Sequence, residues 1–244
     1  MKPITQILHV WGDLACFTRP ELKIERFSYV APTPSAARGI FDAIYRKSTF
    51  RWQVTKVEVL KPPRYIALRR NEVKDKVPVT SIGRWMDGRE DPMPLLADGD
   101  RDATGTDQRG RTQRQTMALK DVAYRIHAHI VPWPGYEGEI VSMEAQFKRR
   151  ARAGQCICQP CFGCREFPAY YSLIEQGDDL PAPFPLDVEI GHMLYDVFDL
   201  SRPGTGDDKP SISLFKPRII GGVMDVPDYF SVEVMKHVKE VGDA

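Results

Sequence analysis

The sequence predicts an α+β fold of the ferredoxin-like, modified RNA-recognition-motif type with a β-rich C-terminal region. Three observations predict it: a β-α-β-β opening, a later β-α-β unit, and apolar stripes of helical spacing on the two intervening helices. An open sheet with both helices on one face satisfies all three.

Taken in order, Ile4 to Val10 alternates as a strand and Gly12-Asp13 closes it. Pro34-Ser35 opens a helix that runs to about Lys47, with Ala37, Ile40, Phe41 and Ile44 on one stripe and Ser35 or Thr33 as cap. Arg51 to Leu60 reads as a strand with an irregularity near Lys56. The turn Lys61-Pro62-Pro63-Arg64 follows, then a strand over Tyr65 to Arg69. Met86 to Thr116 is rich in Gly, Asp, Arg and Gln, so it reads as a long insertion, its four arginines solvated among acids. Val122, Tyr124, Ile126, Ala128 and Ile130 alternate with Arg125, His127 and His129 as a strand. Glu137 to Ala153 reads as a helix burying Ile140, Met143, Phe147 and Ala151, and Gly154 ends it. A Cys-rich turn, a strand near Phe167 to Leu173, a Pro-rich linker at 181–185, strands His192 to Leu200 and Ile212 to Ile220, and a turn at Gly221-Gly222 complete the chain. The predicted division is therefore 1–155, with an insertion at about 86–116, and 156–244.

Composition narrows the class. With 42% hydrophobic and 27% charged residues the chain is ordinary globular material rather than a disordered or fibrous sequence. No apolar run reaches the roughly 18 residues of a membrane span, and Met1 to Trp11 lacks a signal-peptide pattern, so the expected compartment is the cytoplasm and no membrane partner is expected. The net charge is +1, but ten Lys/Arg face four acids between Pro34 and Asp75, and Lys148, Arg149, Arg150 and Arg152 crowd five positions with Arg165 close behind. Acids collect elsewhere, at 98–107 and 175–208. Charge distribution thus keeps nucleic acid open as a partner, where the total argues against it.

Three chemical features stand out. Cys156, Cys158, Cys161 and Cys164 contain x₂ spacings suited to zinc, with His127 and His129 able to complete a site. No separated second cysteine pair exists, so reduced thiols at a tight turn are favoured, with no metal and no cofactor expected. Tyr45 stands beside Arg46 and Lys47, whose positive charge favours the phenolate that can take a proton from a ribose 2′-hydroxyl; packed against the protein, it is simply a helix-end tyrosine. The cluster Lys148, Arg149, Arg150 and Arg152, with Arg165, suits phosphate contacts, and Phe162 and Phe167 are candidates to stack on bases. Triad, Walker and dinucleotide motifs are missing, as are paired acidic metal ligands, which favours metal-independent phosphodiester chemistry.

Six ordered blocks carry a resemblance. They are Trp11-Gly12-Asp13-Leu14-Ala15-Cys16-Phe17-Thr18-Arg19-Pro20 with Ser28-Tyr29, Thr33 to Ile40, Arg69 to Val73, Lys148 to Phe167, Gly191 to Asp196 and Gly222 to Pro227. Together they resemble the CRISPR-associated Cas-five proteins of subtype I-C (Dvulg, or d, subtype). The resemblance implies an RNA-recognition fold and metal-independent cleavage of precursor CRISPR RNA within the repeat, by 2′-hydroxyl attack leaving a cyclic phosphate. It further implies retention of the guide's 5′ handle, so that the implied partners are repeat RNA, that handle and the other type I-C Cascade subunits, with double-stranded DNA a further candidate. The family's Tyr, Lys and His constellation maps Tyr45 onto the Tyr position. Ser142-Met143 stands where the Lys-His pair is expected, leaving His127, His129 or Lys47 as the candidates for proton transfer. The alternative function is a non-catalytic guide-binding and assembly subunit, and the Cys run alone points to a zinc-stabilised interaction module.

Overall fold

The computed structural model describes residues 3–22, 24–73, 76–93, 111–175, 177–178, 180–205 and 207–236. It divides into two compact units: Met1–Ile66 with Met117–Ala244, and Ala67–Thr116. The fold is mixed α/β and rich in sheet.

Helix α1 (Pro34–Ile44) starts where Thr33 accepts a hydrogen bond from the Ala36 amide at 3.1 Å, with Pro34 in the first turn. Its stripe Ala37, Ile40, Phe41 and Ile44 is buried, as its spacing predicts. The helix stops before Lys47 because Tyr45 turns extended, with φ −152°. Helix α2 (Val79–Met86) lies in the second unit; its apolar residues Val79, Ile82 and Met86 fall at three- and four-residue spacing, yet none of its residues is buried. Helix α3 (Ile140–Arg152) follows a short 3-10 turn, buries the predicted stripe and ends at Gly154, whose φ of +64° suits glycine.

Among the described residues twelve strands accompany them. They are β1 (Gln6–Ala15), β2 (Arg26–Phe27), β3 (Phe50–Val59), β4 (Tyr65–Val73), β5 (Arg111–Pro132), β6 (Tyr170–Ile174), β7 (Val188–Glu189), β8 (Met193–Asp196), β9 (Ser213–Phe215), β10 (Arg218–Ile220), β11 (Val223–Asp225) and β12 (Met235–Lys236). Nine form one sheet in the order β6-β1-β5-β3-β11-β10-β7, with β2 and β4 also pairing β5; β12-β9-β8 form a second. β1 runs antiparallel to both β5 and β6, and β3 to both β5 and β11. The expected irregularity near Lys56 is a register shift between Val54 and Lys56 against β5.

Three expectations change. The first strand does not close at Gly12-Asp13 but runs on to Ala15 in register with β5. The segment 86–116 is not loop throughout: β5 begins at Arg111, held by ladder pairing with β4 rather than by apolar periodicity, while 94–110 lie outside the described residues. The run Ile212 to Ile220 is two strands, β9 and β10, parted at Lys216-Pro217, where proline has no amide to donate. Residues beyond 155 also extend the same sheet, since β6 flanks β1 and β11 flanks β3.

The sheet has two faces. On one, Trp52 packs its ring against Phe41 of α1 (4.8 Å) and Phe147 of α3 (4.7 Å), so both helices cover this side. Alternation sends Arg51, Gln53, His127 and His129 to the other.

Candidate nucleic-acid interface

Tyr45 belongs to the helix-covered side. Its ring lies 5.3 Å from that of Phe50, and its carbonyl accepts from Trp52 Nε1 at 2.9 Å. Only 5% of the residue is exposed, and its hydroxyl is buried without a hydrogen-bond partner. Lys47 Nζ stands 6.0 Å over the same ring. A buried hydroxyl without a partner costs stability, and among the described residues Thr49 and Tyr171 carry one too.

Arg150 reaches this corner from α3. Its Nε donates to the Ile44 carbonyl at 2.7 Å, capping the end of α1. The other α3 cations face outward: Arg149 contacts Gln146 at 3.4 Å, and Arg152 forms a two-pronged pair with Glu175, its Nη2 lying 2.9 Å from Oε2. Lys148 and Arg152 line a cleft of about 560 Å³ with Gln6, Leu173 and Asp178. The cluster is therefore mixed, with one structural member and three at the surface. Ser142 is exposed on α3 and Met143 is buried, so the position expected for a Lys-His pair holds a core residue here.

The Cys-rich turn closes on α1 and β1 through backbone bonds. The Ile157 amide donates to the Ala43 carbonyl at 2.6 Å, and the Cys16 amide to the Phe162 carbonyl at 3.0 Å. Gly163 permits this approach, since its φ is +81° and a Cβ would meet the Cys16 carbonyl at 2.1 Å. None of the five cysteines forms a disulfide. The Cys164 thiol is pushed up by its hydrogen bond with Cys16 and by burial, and burial also raises Cys161. Arg165 is exposed and lines a shallow cleft with Thr18, Arg26 and Glu166. Phe162 and Phe167 do not stack on bases as expected. Both are buried, Phe162 meeting Phe17 (5.9 Å) and Tyr124 (5.8 Å), because the turn folds inward over β1.

His127 and His129 lie across the sheet from Tyr45. His127 Nε2 is 3.0 Å from Glu58 Oε1, and the same carboxylate binds Lys56 Nζ at 2.8 Å and the Arg125 guanidinium. Burial, then Lys56, holds the His127 ring below its ordinary range; burial and Arg51 do the same for His129. The sheet thus joins His127 to a charged network but separates both histidines from Tyr45. Sequence reading missed Glu58 as the centre of that network. The alternation Lys56, Glu58 on one strand and Arg125, His127 on the next was its signal. It also missed the exposed rings Trp11 and Tyr170, which stack at 6.2 Å. Among the described residues no helix is long and apolar enough to cross a membrane.

In shape the chain is similar to a solved protein titled "Crystal Structure of CRISPR-associated Protein", with TM-score 0.62 and 21% identity over 96% of this chain and 98% of that one. It is also similar to a functionally uncharacterized protein from Streptococcus mutans, with TM-score 0.59, 20% identity, and 95% and 97% covered. Sequence gives the class: residues 6–227 match the Cas5d family model, described as "CRISPR-associated protein (Cas_Cas5)". The chain belongs to the Cas5d family. It is 40% identical over 94% of its length to "CRISPR pre-crRNA endoribonuclease Cas5d" of Mannheimia succiniciproducens, spanning 97% of that protein. With the protein of the same description from Thermus thermophilus it shares 36% identity, covering 85% of this chain and 78% of the relative.

Proposed function

We propose that this chain is a cytoplasmic endoribonuclease that cuts precursor CRISPR RNA within its repeat and then holds the 5′ handle of the guide as a subunit of type I-C Cascade. The observation that carries this reading is the 40% identity, along 94% of the chain, with a protein described as a CRISPR pre-crRNA endoribonuclease. The strand order β6-β1-β5-β3, antiparallel and backed by α1 and α3, supports a ferredoxin-like RNA-recognition core within the larger sheet. We further propose residues 1–155 as the RNA-recognition region, its sheet completed by strands from 156–244.

The reaction needs a base to take the proton from the 2′-hydroxyl upstream of the scissile phosphate. The resulting oxygen attacks phosphorus, the bond to the 5′-oxygen breaks, and an acid returns a proton to that oxygen, leaving a cyclic phosphate and a 5′-hydroxyl. Tyr45 is the proposed base, since no protein group uses its hydroxyl, with Lys47 the proposed acid beside it. RNA must open the cover over that hydroxyl to reach it. Lys148, Arg149, Arg152 and Arg165 are the proposed phosphate contacts, and Arg150 fixes the helix end beneath the site. The histidines take no part in that step, because the sheet stands between.

Repeat RNA incubated with the protein in EDTA is expected to give one cut and a cyclic phosphate end, read by end-group analysis. Tyr45→Phe is expected to slow cleavage by about 10²- to 10⁴-fold, the usual worth of one acid or base, at nearly unchanged RNA affinity. Uncut RNA favours the second reading, a non-catalytic guide-holding subunit, for which burial of the Tyr45 hydroxyl is the supporting observation.

A further inference from the structure

Three aromatic rings stand in a row on the face of the sheet opposite the helices. His9 and Trp11 share that face of β1, two residues apart, with ring centroids 4.9 Å apart and planes 30° from parallel. Tyr170, directly opposite Trp11 on β6, continues the row at 6.2 Å and 29°. Neither large ring is tucked away: Trp11 is 37% exposed and Tyr170 52%. Rings that packing alone governs end up buried, as Phe162 and Trp52 do.

The row leads into a half-open cleft of about 300 Å³, lined by His9, Leu60, Arg125, Ser172, Leu180 and Pro181. At its Trp11 end two cations share one carboxylate: Lys61 Nζ lies 2.7 Å from Asp121, and Arg64 pairs with the same side chain. Glu58 is likewise divided between Lys56 and Arg125. Against these four cations stand Glu58, Asp121, the exposed Asp13 two residues beyond Trp11, and Asp178 at the cleft. The face is close to neutral, with two points where cations outnumber carboxylates. It offers flat π surface with local positive charge rather than a basic field.

We propose that this face is a stacking platform for an unpaired segment of RNA. The exposed rings Tyr170 and Trp11 take the bases, half-buried His9 backs Trp11, and Lys61 and Arg64 lie beside the phosphates. The proposal rests on the RNA-processing reading above and adds a second contact region, across the sheet from Tyr45. Unpaired bases suit it because every base has a π face, whereas a duplex keeps its bases stacked on each other. Since few counterions are displaced here, affinity comes from stacking and the salt dependence is shallow.

The test uses the full chain and a fluorescein-labelled ten-nucleotide oligo-adenylate, with the unlabelled duplex of that strand as competitor. Trp11→Ala or Tyr170→Ala is expected to weaken binding by about 5- to 150-fold, the range of a lost base-stacking contact, without changing the salt slope. Trp11→Phe and Tyr170→Phe are expected to restore most of it, and the duplex to compete poorly. Wild-type affinity in both alanine variants, or equal competition by the duplex, overturns the platform. If an alanine variant fails to fold, the wild-type protein is crosslinked instead to an oligonucleotide containing 4-thiouridine. Crosslinks on the peptides carrying Trp11 or Tyr170 support the platform, and crosslinks confined to other peptides overturn it. Cleavage of repeat RNA is scored separately: cutting with no effect of the rings removes only the platform. Ring-dependent binding without cutting removes the processing reading and leaves the platform standing.

Discussion

Three histidines, His9, His127 and His129, share the open side of the sheet, and each is held below the ordinary imidazole value. Burial is the first cause in every case, followed by Arg125 and Lys61 at His9, Lys56 at His127, and Arg51 at His129. In the unfolded chain these rings titrate near about 6.5. Above that pH both states are neutral and the contribution to stability is fully present. As pH falls below it the unfolded chain takes up protons first, so stability is lost until the folded rings titrate as well. Melting temperature is therefore expected to drop as pH falls through about 6.5, before carboxylates such as Glu58 and Glu175, themselves held low by their cationic partners, begin to protonate. The triple variant His9→Gln, His127→Gln, His129→Gln is expected to flatten that drop in thermal melts; an unchanged pH profile would refute the assignment. At this scale the sequence revealed the alternation that puts His127 and His129 on one face, but not Glu58 beside His127. A carboxylate's partners are set by strand register, and register needs the paired strand.

Among elements, helices α1 and α3 were readable because each carries an apolar stripe at three- and four-residue spacing, and Thr33 and Gly154 punctuate them. Helix α2 was missed although Val79, Ile82 and Met86 repeat at three- and four-residue spacing, because that stripe spans only eight residues and buries none of them. The basic end of α3 shows the limit of charge counting. Lys148, Arg149, Arg150 and Arg152 look equivalent in sequence, yet Arg150 alone among them donates to the last turn of α1, at 2.7 Å from the Ile44 carbonyl. Hydrogen bonds from charged groups contribute about 1.5–3 kcal/mol. Arg150→Ala is expected to cost about that much in urea unfolding, while Lys148→Ala and Arg149→Ala stay within about 0.5 kcal/mol. The latter two are instead expected to weaken repeat-RNA binding and flatten its salt dependence, because fewer counterions are released. Equal destabilisation by all three would refute the division of roles.

For the whole molecule, the net charge of +1 conceals extensive internal pairing: Arg38 with Asp42 and Asp196, Lys61 and Arg64 with Asp121, Arg152 with Glu175. Several of these link residues more than fifty positions apart, which no local count of charge resolves. The same long reach ties 156–244 to the first half of the chain. β6 supplies the outer neighbour of β1, β11 the outer neighbour of β3, and Phe162 is fully buried between Phe17 and Tyr124. Losing a buried phenylalanine alone costs about 3–5 kcal/mol, a large part of the roughly 5–15 kcal/mol that holds a domain folded. A chain ending at Gln155 also leaves β1 and β3 as open edges with unpaired amides and carbonyls. Truncation after Gln155 is therefore expected to abolish the cooperative thermal transition that the full chain shows by circular dichroism, and to yield aggregating protein. A soluble 1–155 fragment with its own sharp melting transition would mean that the first half folds alone and the later strands merely dock on it.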